Sequence, residues 1–166
     1  MERILDAAQF IFTEYQNMAG EQIDEMKLHK LLYLSQRESL AITGEPMIQE
    51  DMEGWKYGPV SPLVRTYFTQ DGIAATTKEV SPEAAYIMKN VICEYGHIES
   101  WKLSQLTHKE TSWLNAREGL RADENGCTPL RIEDIAKDAE KVRPYDHVWD
   151  MYYDEFDDLE EGGAAS

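Results

Sequence analysis

The chain has 166 residues and a formal net charge of −16, with 42% apolar and 10% aromatic residues. This apolar and aromatic content suits one folded core and argues against global disorder. The acidic charge argues against direct binding of nucleic acid, which needs Lys and Arg to neutralise phosphates. It leaves open a basic protein partner or plain solubility.

Two further features of the composition set the expected compartment. No apolar run approaches the roughly 20 residues that cross a membrane, and the N-terminus lacks the basic-then-apolar pattern of a signal peptide. Cys93 and Cys127 lie far apart, without the spacing of a zinc site or of a disulfide framework. We therefore expect a cytoplasmic protein that makes no membrane contact.

The negative charge is concentrated at the C-terminus. Residues 146–166 contain eight acidic residues and no Lys or Arg, so residues 1–145 carry 24 acids against 16 bases, a net −8. The end of the chain is too acidic and too rich in small residues to pack. The sequence therefore predicts one domain over residues 1–145 and a flexible acidic tail over residues 146–166.

The first two predicted elements are helices. Apolar residues recur at helical spacing over 2–17, and Gly20 interrupts the pattern. Asp24 is the predicted N-cap of a second helix that runs to about Ile42 and stops at Gly44. The second helix is apolar over a wide arc, which is typical of a helix packed on several sides. We expect it to be central.

The middle of the chain predicts short strands and capped helices. Gly58-Pro59 is expected to end the first strand region. The pairs Ser61-Pro62 and Ser81-Pro82 predict helix starts, because serine caps a helix and proline suits its first position. The predicted elements are one or two strands within 47–57, a helix over 62–70, a strand over 76–80 and a helix over 82–95.

The last third of the chain is again mainly helical. Its predicted elements are helices over 100–110, 112–117 and 132–142, with a short strand over 127–131. Trp101, Leu103, Leu106 and His108 are expected to face inward. Together these elements predict a mainly α fold: a compact single-domain helical bundle around a central helix, with a few short β-strands.

The sequence carries no recognised catalytic motif. It lacks a glycine-rich phosphate loop, an HExxH pair and a GxSxG elbow. The four histidines show no metal-ligand spacing, and Cys93 has apolar neighbours, which favours a buried structural thiol. We therefore expect no catalytic residues, no metal and no cofactor, and a protein that is not an enzyme; an unrecognised hydrolase is the competing hypothesis.

Three segments stand out by their order and spacing. They are KLHKLLYLSQ (27–36), EGWKYGPVSP (53–62) and LSQLTHKETSWLNAR (103–117). Together they resemble the Panacea antitoxin family, a phage-associated domain family, with His29 where glutamine is common. The resemblance spans about residues 3–120.

The resemblance implies a function as well as a fold. It implies a mostly helical domain that is the antitoxin of a type II-like toxin–antitoxin system of bacteria, their phages or prophages. Its partner is then a cognate protein toxin, neutralised by direct protein–protein binding. Some members of the family carry an added DNA-binding module before the Panacea domain. This sequence begins directly in the Panacea-like domain, so we expect no direct DNA binding. The oligomeric state stays open.

The motif residues divide into two groups. Six aromatic or cationic residues are candidates for toxin contact, because Trp, Tyr and Arg dominate binding hot spots. These are Lys30, Tyr33, Arg37, Trp55, Tyr57 and Arg65. Each also has a structural interpretation, and Lys30 and Arg37 are expected to form a half-buried strip that pairs with acids of a partner or of this chain. The residues expected mainly to maintain the fold are Lys27, Leu31, Leu32, Gly58, Pro59, Thr107, His108 and Trp113.

The acidity of the chain supports a second class of function. An acidic protein can mimic DNA and inhibit a nuclease or restriction enzyme, although mimicry needs carboxylates spaced over a rigid surface and here they are concentrated in a tail. The tail itself has three interpretations: a solubilising segment, a segment that wraps a basic toxin, or a degradation signal.

Overall fold

The computed structural model describes residues 1–142, which form seven helices and two short β-hairpins. In chain order the elements are α1 (Ile4–Ala19), α2 (Glu25–Thr43), β1 (Glu53–Trp55), β2 (Gly58–Val60), α3 (Pro62–Tyr67), β3 (Phe68–Thr69), β4 (Gly72–Ile73), α4 (Pro82–Tyr95), α5 (Ser100–Thr107), α6 (Thr111–Ala116) and α7 (Ile132–Glu140). The mainly α prediction is confirmed. The predicted tail, residues 146–166, lies outside the described residues.

Local signals set the ends of these helices as predicted. The Asp24 carboxylate accepts the backbone N–H of Lys27 at 2.8 Å and caps α2. Ser61 and Ser81 cap α3 and α4 in the same way, each followed by proline in the first turn. At the other end of α2, Gly44 takes the left-handed conformation that closes a helix.

The core is built around α2, as the width of its apolar arc predicts. Every residue from Lys27 to Leu40 is buried, including Leu31 and Leu32, which are fully covered. The helices α1, α4, α5 and α7 all pack against α2. Removing apolar surface from water contributes about 25 cal/mol per Å², so the packing of these helices on α2 stabilises the fold.

The strand predictions are partly wrong. Gly58-Pro59 does not end the first strand region but begins β2, which pairs antiparallel with β1. Residues 76–80 form no strand, because the Thr76 carbonyl accepts from Arg3 and the Lys78 N–H donates to Asp6. Those backbone groups bond to side chains near the start of α1 and are not available for a ladder.

The remaining differences are smaller. The helix predicted over 62–70 ends at Tyr67, and β3 and β4 follow it. The strand predicted over 127–131 is reduced to an isolated bridge between Glu53 and Pro129. The backbone bonds of this bridge run from the Gly54 N–H to the Thr128 carbonyl and from the Leu130 N–H to the Met52 carbonyl. The Gly54 carbonyl, which a longer ladder would use, accepts from the Arg117 side chain instead.

Two burial predictions are wrong. Trp101 does not face inward: it is 53% exposed, and its indole N–H donates to the Glu99 carboxylate at 2.5 Å. Cys93 is exposed and not a buried thiol, because it lies on the outer face of α4 beyond the buried Val91 and Ile92. The inward position of Leu103 is confirmed, since this side chain is fully covered.

Candidate functional site

The first hairpin forms a corner over the N-terminal half of α2. Trp55 pairs with Gly58 across a turn made by Lys56 and Tyr57. Gly58 has φ +115°, a conformation that L side chains rarely adopt. The turn separates Trp55 from Tyr57, so these two rings are not successive positions on one face of a strand.

Lys30 of α2 lies directly beneath this corner. Its ammonium donates to the Pro59 carbonyl at 3.2 Å, and its side chain is 1% exposed. Burial lowers the pKa of Lys30 to about 8, because a charged ammonium loses its hydration there. The end of the Lys30 side chain and the Thr107 hydroxyl both lie against Gly58.

Side chains of the third motif segment, residues 103–117, donate hydrogen bonds to backbone carbonyls of the first hairpin. The Trp113 indole N–H donates to the Trp55 carbonyl at 2.7 Å, and the Ser104 hydroxyl donates to the Tyr57 carbonyl. His108 stacks on the Trp113 ring with centroids 4.3 Å apart. All three segments that stand out in the sequence therefore meet at one place.

Tyr33 and Arg37 form a buried polar network one and two turns further along α2. The Tyr33 hydroxyl lies 2.8 Å from both the Glu110 and the Asp138 carboxylates. The Arg37 guanidinium contacts Glu110 at 3.2 Å and the Tyr95 hydroxyl at 2.9 Å. Burial and these carboxylates raise the pKa of Tyr33 well above its ordinary value.

This burial corrects one expectation about the cationic residues. Lys30 and Arg37 are each 1% exposed and do not form a half-buried strip. Arg37 pairs with acids of this chain, Glu38 at 3.3 Å and Glu110 at 3.2 Å, whereas Lys30 bonds to a backbone carbonyl. Lys27 also turns inward, where it donates to the Gly96 carbonyl at 2.8 Å.

The exposed part of the motifs is aromatic and cationic. Tyr57 is 56% exposed, and Trp55 is partly exposed. The Arg65 guanidinium lies 5.5 Å from the Trp55 ring centre, and the Lys56 ammonium lies 5.2 Å from that of Tyr57. These four residues, together with the start of α2, line an open groove of about 440 Å³, hereafter the corner groove.

His29 fixes the floor of the corner groove to helix α3. Its Nδ1 accepts the backbone N–H of Ser61 at 3.2 Å, which leaves the proton of a neutral ring on Nε2, 3.0 Å from the Glu25 carboxylate. Burial lowers the pKa of His29, although Glu25 opposes the shift. Protonation of Nδ1 would remove the acceptor of the Ser61 N–H.

This geometry predicts a loss of stability in acid that depends on His29. The unfolded state protonates a histidine near pH 6.5, whereas the folded state resists because its pKa is lowered. Below pH 6.5 the stability contribution of neutral His29 is therefore lost, at up to about 1.4 kcal/mol per pH unit. His29→Gln should flatten the dependence of the unfolding free energy on pH between 7 and 5.5, measured in urea.

The control for this measurement is His97→Gln, at an exposed position, which removes one imidazole without touching the groove. An equal flattening in both variants would contradict the role given to His29.

Sequence reasoning missed several residues of this site. Asp138 accepts the backbone N–H groups of Thr111 and Ser112 at 2.6 and 3.1 Å and so caps α6 from another helix. Arg117 is 6% exposed and donates to the Gly54 carbonyl at 3.1 Å. No local pattern predicts contacts between residues so far apart. The apolar spacing of Ile135 and Ala139 is a signal that could indicate a buried face of α7.

Residues 1–142 contain neither a metal-binding cluster nor a helix that could cross a membrane. No group of three or more His, Cys, Asp or Glu side chains in that range is arranged to hold a metal ion. Each helix of the same range is too short or too polar to span a bilayer.

Comparison with known proteins supplies the family. The family described as "Antitoxin SocA-like, Panacea domain" matches residues 28–114, more than half of the chain. Antitoxin SocA of Caulobacter vibrioides (strain NA1000 / CB15N) is 38% identical over 50 residues, which cover 30% of this chain and 27% of that protein. The matched segment thus spans about a quarter of this curated relative. No solved structure matches the chain. On the extent of the family match, the chain belongs to the SocA-like antitoxin family with a Panacea domain.

Proposed function

We propose that this protein is the antitoxin of a toxin–antitoxin pair and neutralises its cognate toxin by direct binding. The observation that carries the proposal is the family match over residues 28–114. That range contains most of α2, the first hairpin, α3 and Trp113, which bonds the hairpin. The matched curated relative is also named an antitoxin.

The surface proposed to contact the toxin is the rim of the corner groove. Trp55, Tyr57 and Arg65 are exposed or partly exposed there, and these residue types contribute most to binding hot spots. The other three candidate contact residues, Lys30, Tyr33 and Arg37, act in this proposal from beneath, by holding the hairpin and α2 in a fixed arrangement. A preformed surface spares the ordering cost of binding.

The proposal predicts the effect of truncating the rim. Tyr57→Ala with Arg65→Ala should weaken toxin binding at least about 30-fold, because truncating even one hot-spot residue costs about 2 kcal/mol and each 1.4 kcal/mol is tenfold. Both side chains are exposed, so the fold should remain intact. The measurement is titration calorimetry with the product of the adjacent gene, together with rescue of growth on co-expression.

The matched control is Met18→Ala with Lys89→Ala, which also removes one exposed apolar and one exposed cationic side chain, away from the groove. Unchanged affinity in the rim variant would refute the contact surface. A neighbouring gene product that is harmless alone, or that never forms a complex with this protein, would refute the antitoxin role.

A further inference from the structure

The corner groove is locally cationic in an acidic protein. Among the described residues that line it, Lys30, Lys56 and Arg65 are cations and Glu25 is the single carboxylate. The whole chain carries −16. A positive concavity on such a chain attracts acidic groups, and its low-dielectric walls strengthen that attraction.

The cations of the groove are poorly paired. Within residues 1–142, neither Lys30 nor Lys56 forms an ion pair, and Arg65 shares Glu25 with His29. Several other cations on the described surface, though not all of them, have a carboxylate within ion-pair distance. Examples are Arg3 with Asp6 at 2.7 Å, Arg121 with Glu124 at 3.0 Å and Lys137 with Asp134 at 3.8 Å.

Among the three cations of the corner groove, Lys30 would be stabilised most by a nearby negative charge. It is 1% exposed, and its one hydrogen bond among the described residues uses a single N–H of three, donated to Pro59. A buried ammonium without a carboxylate is costly. A carboxylate in the groove would offset part of that cost.

The sequence contains a segment with matching chemistry. Residues 146–161 contain eight carboxylates and no Lys or Arg, interleaved with four aromatic residues: Trp149, Tyr152, Tyr153 and Phe156. Carboxylates suit the Lys56 and Arg65 side chains, and aromatic rings suit the exposed faces of Trp55 and Tyr57. Residues 146–161 thus contain partners for both the cations and the aromatic rings of the corner groove.

We propose that the acidic C-terminal segment, residues 146–161, binds in the corner groove of its own chain. The reach is sufficient: fifteen residues beyond Val142 span on the order of 50 Å when extended. A folded unit of about 140 residues has a radius of gyration of roughly 14 Å. Covalent attachment keeps the effective concentration of the segment near the millimolar range, so weak contacts are enough.

Such binding would regulate the surface proposed for the toxin. The segment covers the rim in the free protein, and a toxin must displace it. The proposal concerns the free chain, so its test needs no toxin and can fail while toxin binding is confirmed, or hold while toxin binding is refuted.

The test places a spin label on the tail of the full-length protein. Cys93 and Cys127 are exposed and are replaced by serine, and Gly162→Cys carries the label. The expected result is loss of the backbone amide NMR signals of Lys56 and Tyr57 and their recovery when the label is reduced. The amides of Met47 and Ala84, at the opposite end of α2, should keep their intensity.

Charge variants test whether the cations of the corner groove cause the loss of the Lys56 and Tyr57 signals. Lys56→Gln with Arg65→Gln should abolish the selective loss, whereas Lys89→Gln with Lys109→Gln, which removes the same charge at exposed sites elsewhere, should preserve it. Raising the salt to 1 M should abolish it as well, because the screening length falls to about 3 Å. The proposal is overturned by no loss, by uniform loss, by loss that survives the groove variant, or by a control variant that abolishes it.

Discussion

Replacing Arg37 by methionine is expected to lower the free energy of unfolding by about 3–5 kcal/mol, the usual cost of breaking a buried ion pair from one side. The guanidinium is 1% exposed and joins Glu110, Glu38 and the Tyr95 hydroxyl. Methionine fills much of the space but leaves the Glu110 carboxylate, which is only 13% exposed, without its cation. Urea denaturation followed by far-UV circular dichroism measures the effect.

Two companion variants make this prediction specific. Glu110→Gln in the Arg37→Met background should recover part of the loss, because the uncompensated negative charge disappears. Arg121→Met, which removes a guanidinium that is 80% exposed and paired with Glu124, should cost less than about 1 kcal/mol. Equal losses at positions 37 and 121 would contradict the structural importance of the buried network.

Gly58→Ala is expected to destabilise the protein by a similar amount, about 3–5 kcal/mol, from backbone strain and overpacking together. Gly58 has φ +115°, and a Cβ there would lie 2.6 Å from the Thr107 hydroxyl oxygen and 2.7 Å from Lys30 Cε. Both neighbours are buried and have little room to move. The change should also weaken toxin binding, because the corner that presents Tyr57 would shift.

Gly44→Ala is the matched control for this substitution. Gly44 also has a positive φ, +77°, but a Cβ there meets nothing within 4 Å. Gly44→Ala should therefore lower the free energy of unfolding by about 1–2 kcal/mol, from the left-handed backbone conformation alone. A smaller loss at position 58 than at position 44, measured by thermal unfolding, would show that the packing beneath the hairpin is loose.

The sequence predicts those parts of the fold that have local causes. Asp24, Ser61 and Ser81 cap helices as predicted because a cap needs only neighbouring backbone N–H groups. The central position of α2 followed from its apolar arc. The order of three motif segments indicated the family, which the match over residues 28–114 confirms.

Contacts between distant positions could not be predicted in the same way. The Tyr33 hydroxyl meets Asp138 across 105 positions of sequence, and only the packing of α7 on α2 brings them together. Arg37 could equally have been an exposed contact, since a guanidinium satisfies carboxylates of either chain. The strand predicted over 76–80 was wrong because Arg3 and Asp6, far away in sequence, bond its backbone.

The hairpin is held from below by carbonyl oxygens. Trp113 bonds the Trp55 carbonyl, Ser104 bonds the Tyr57 carbonyl and Lys30 bonds the Pro59 carbonyl. Every residue type supplies the same carbonyl, so the side chains at positions 56 and 57 are interchangeable as far as this scaffold is concerned. A library randomised at those two positions should yield mostly folded proteins. The tip of the hairpin is therefore a suitable site for engineering the protein to bind a different partner.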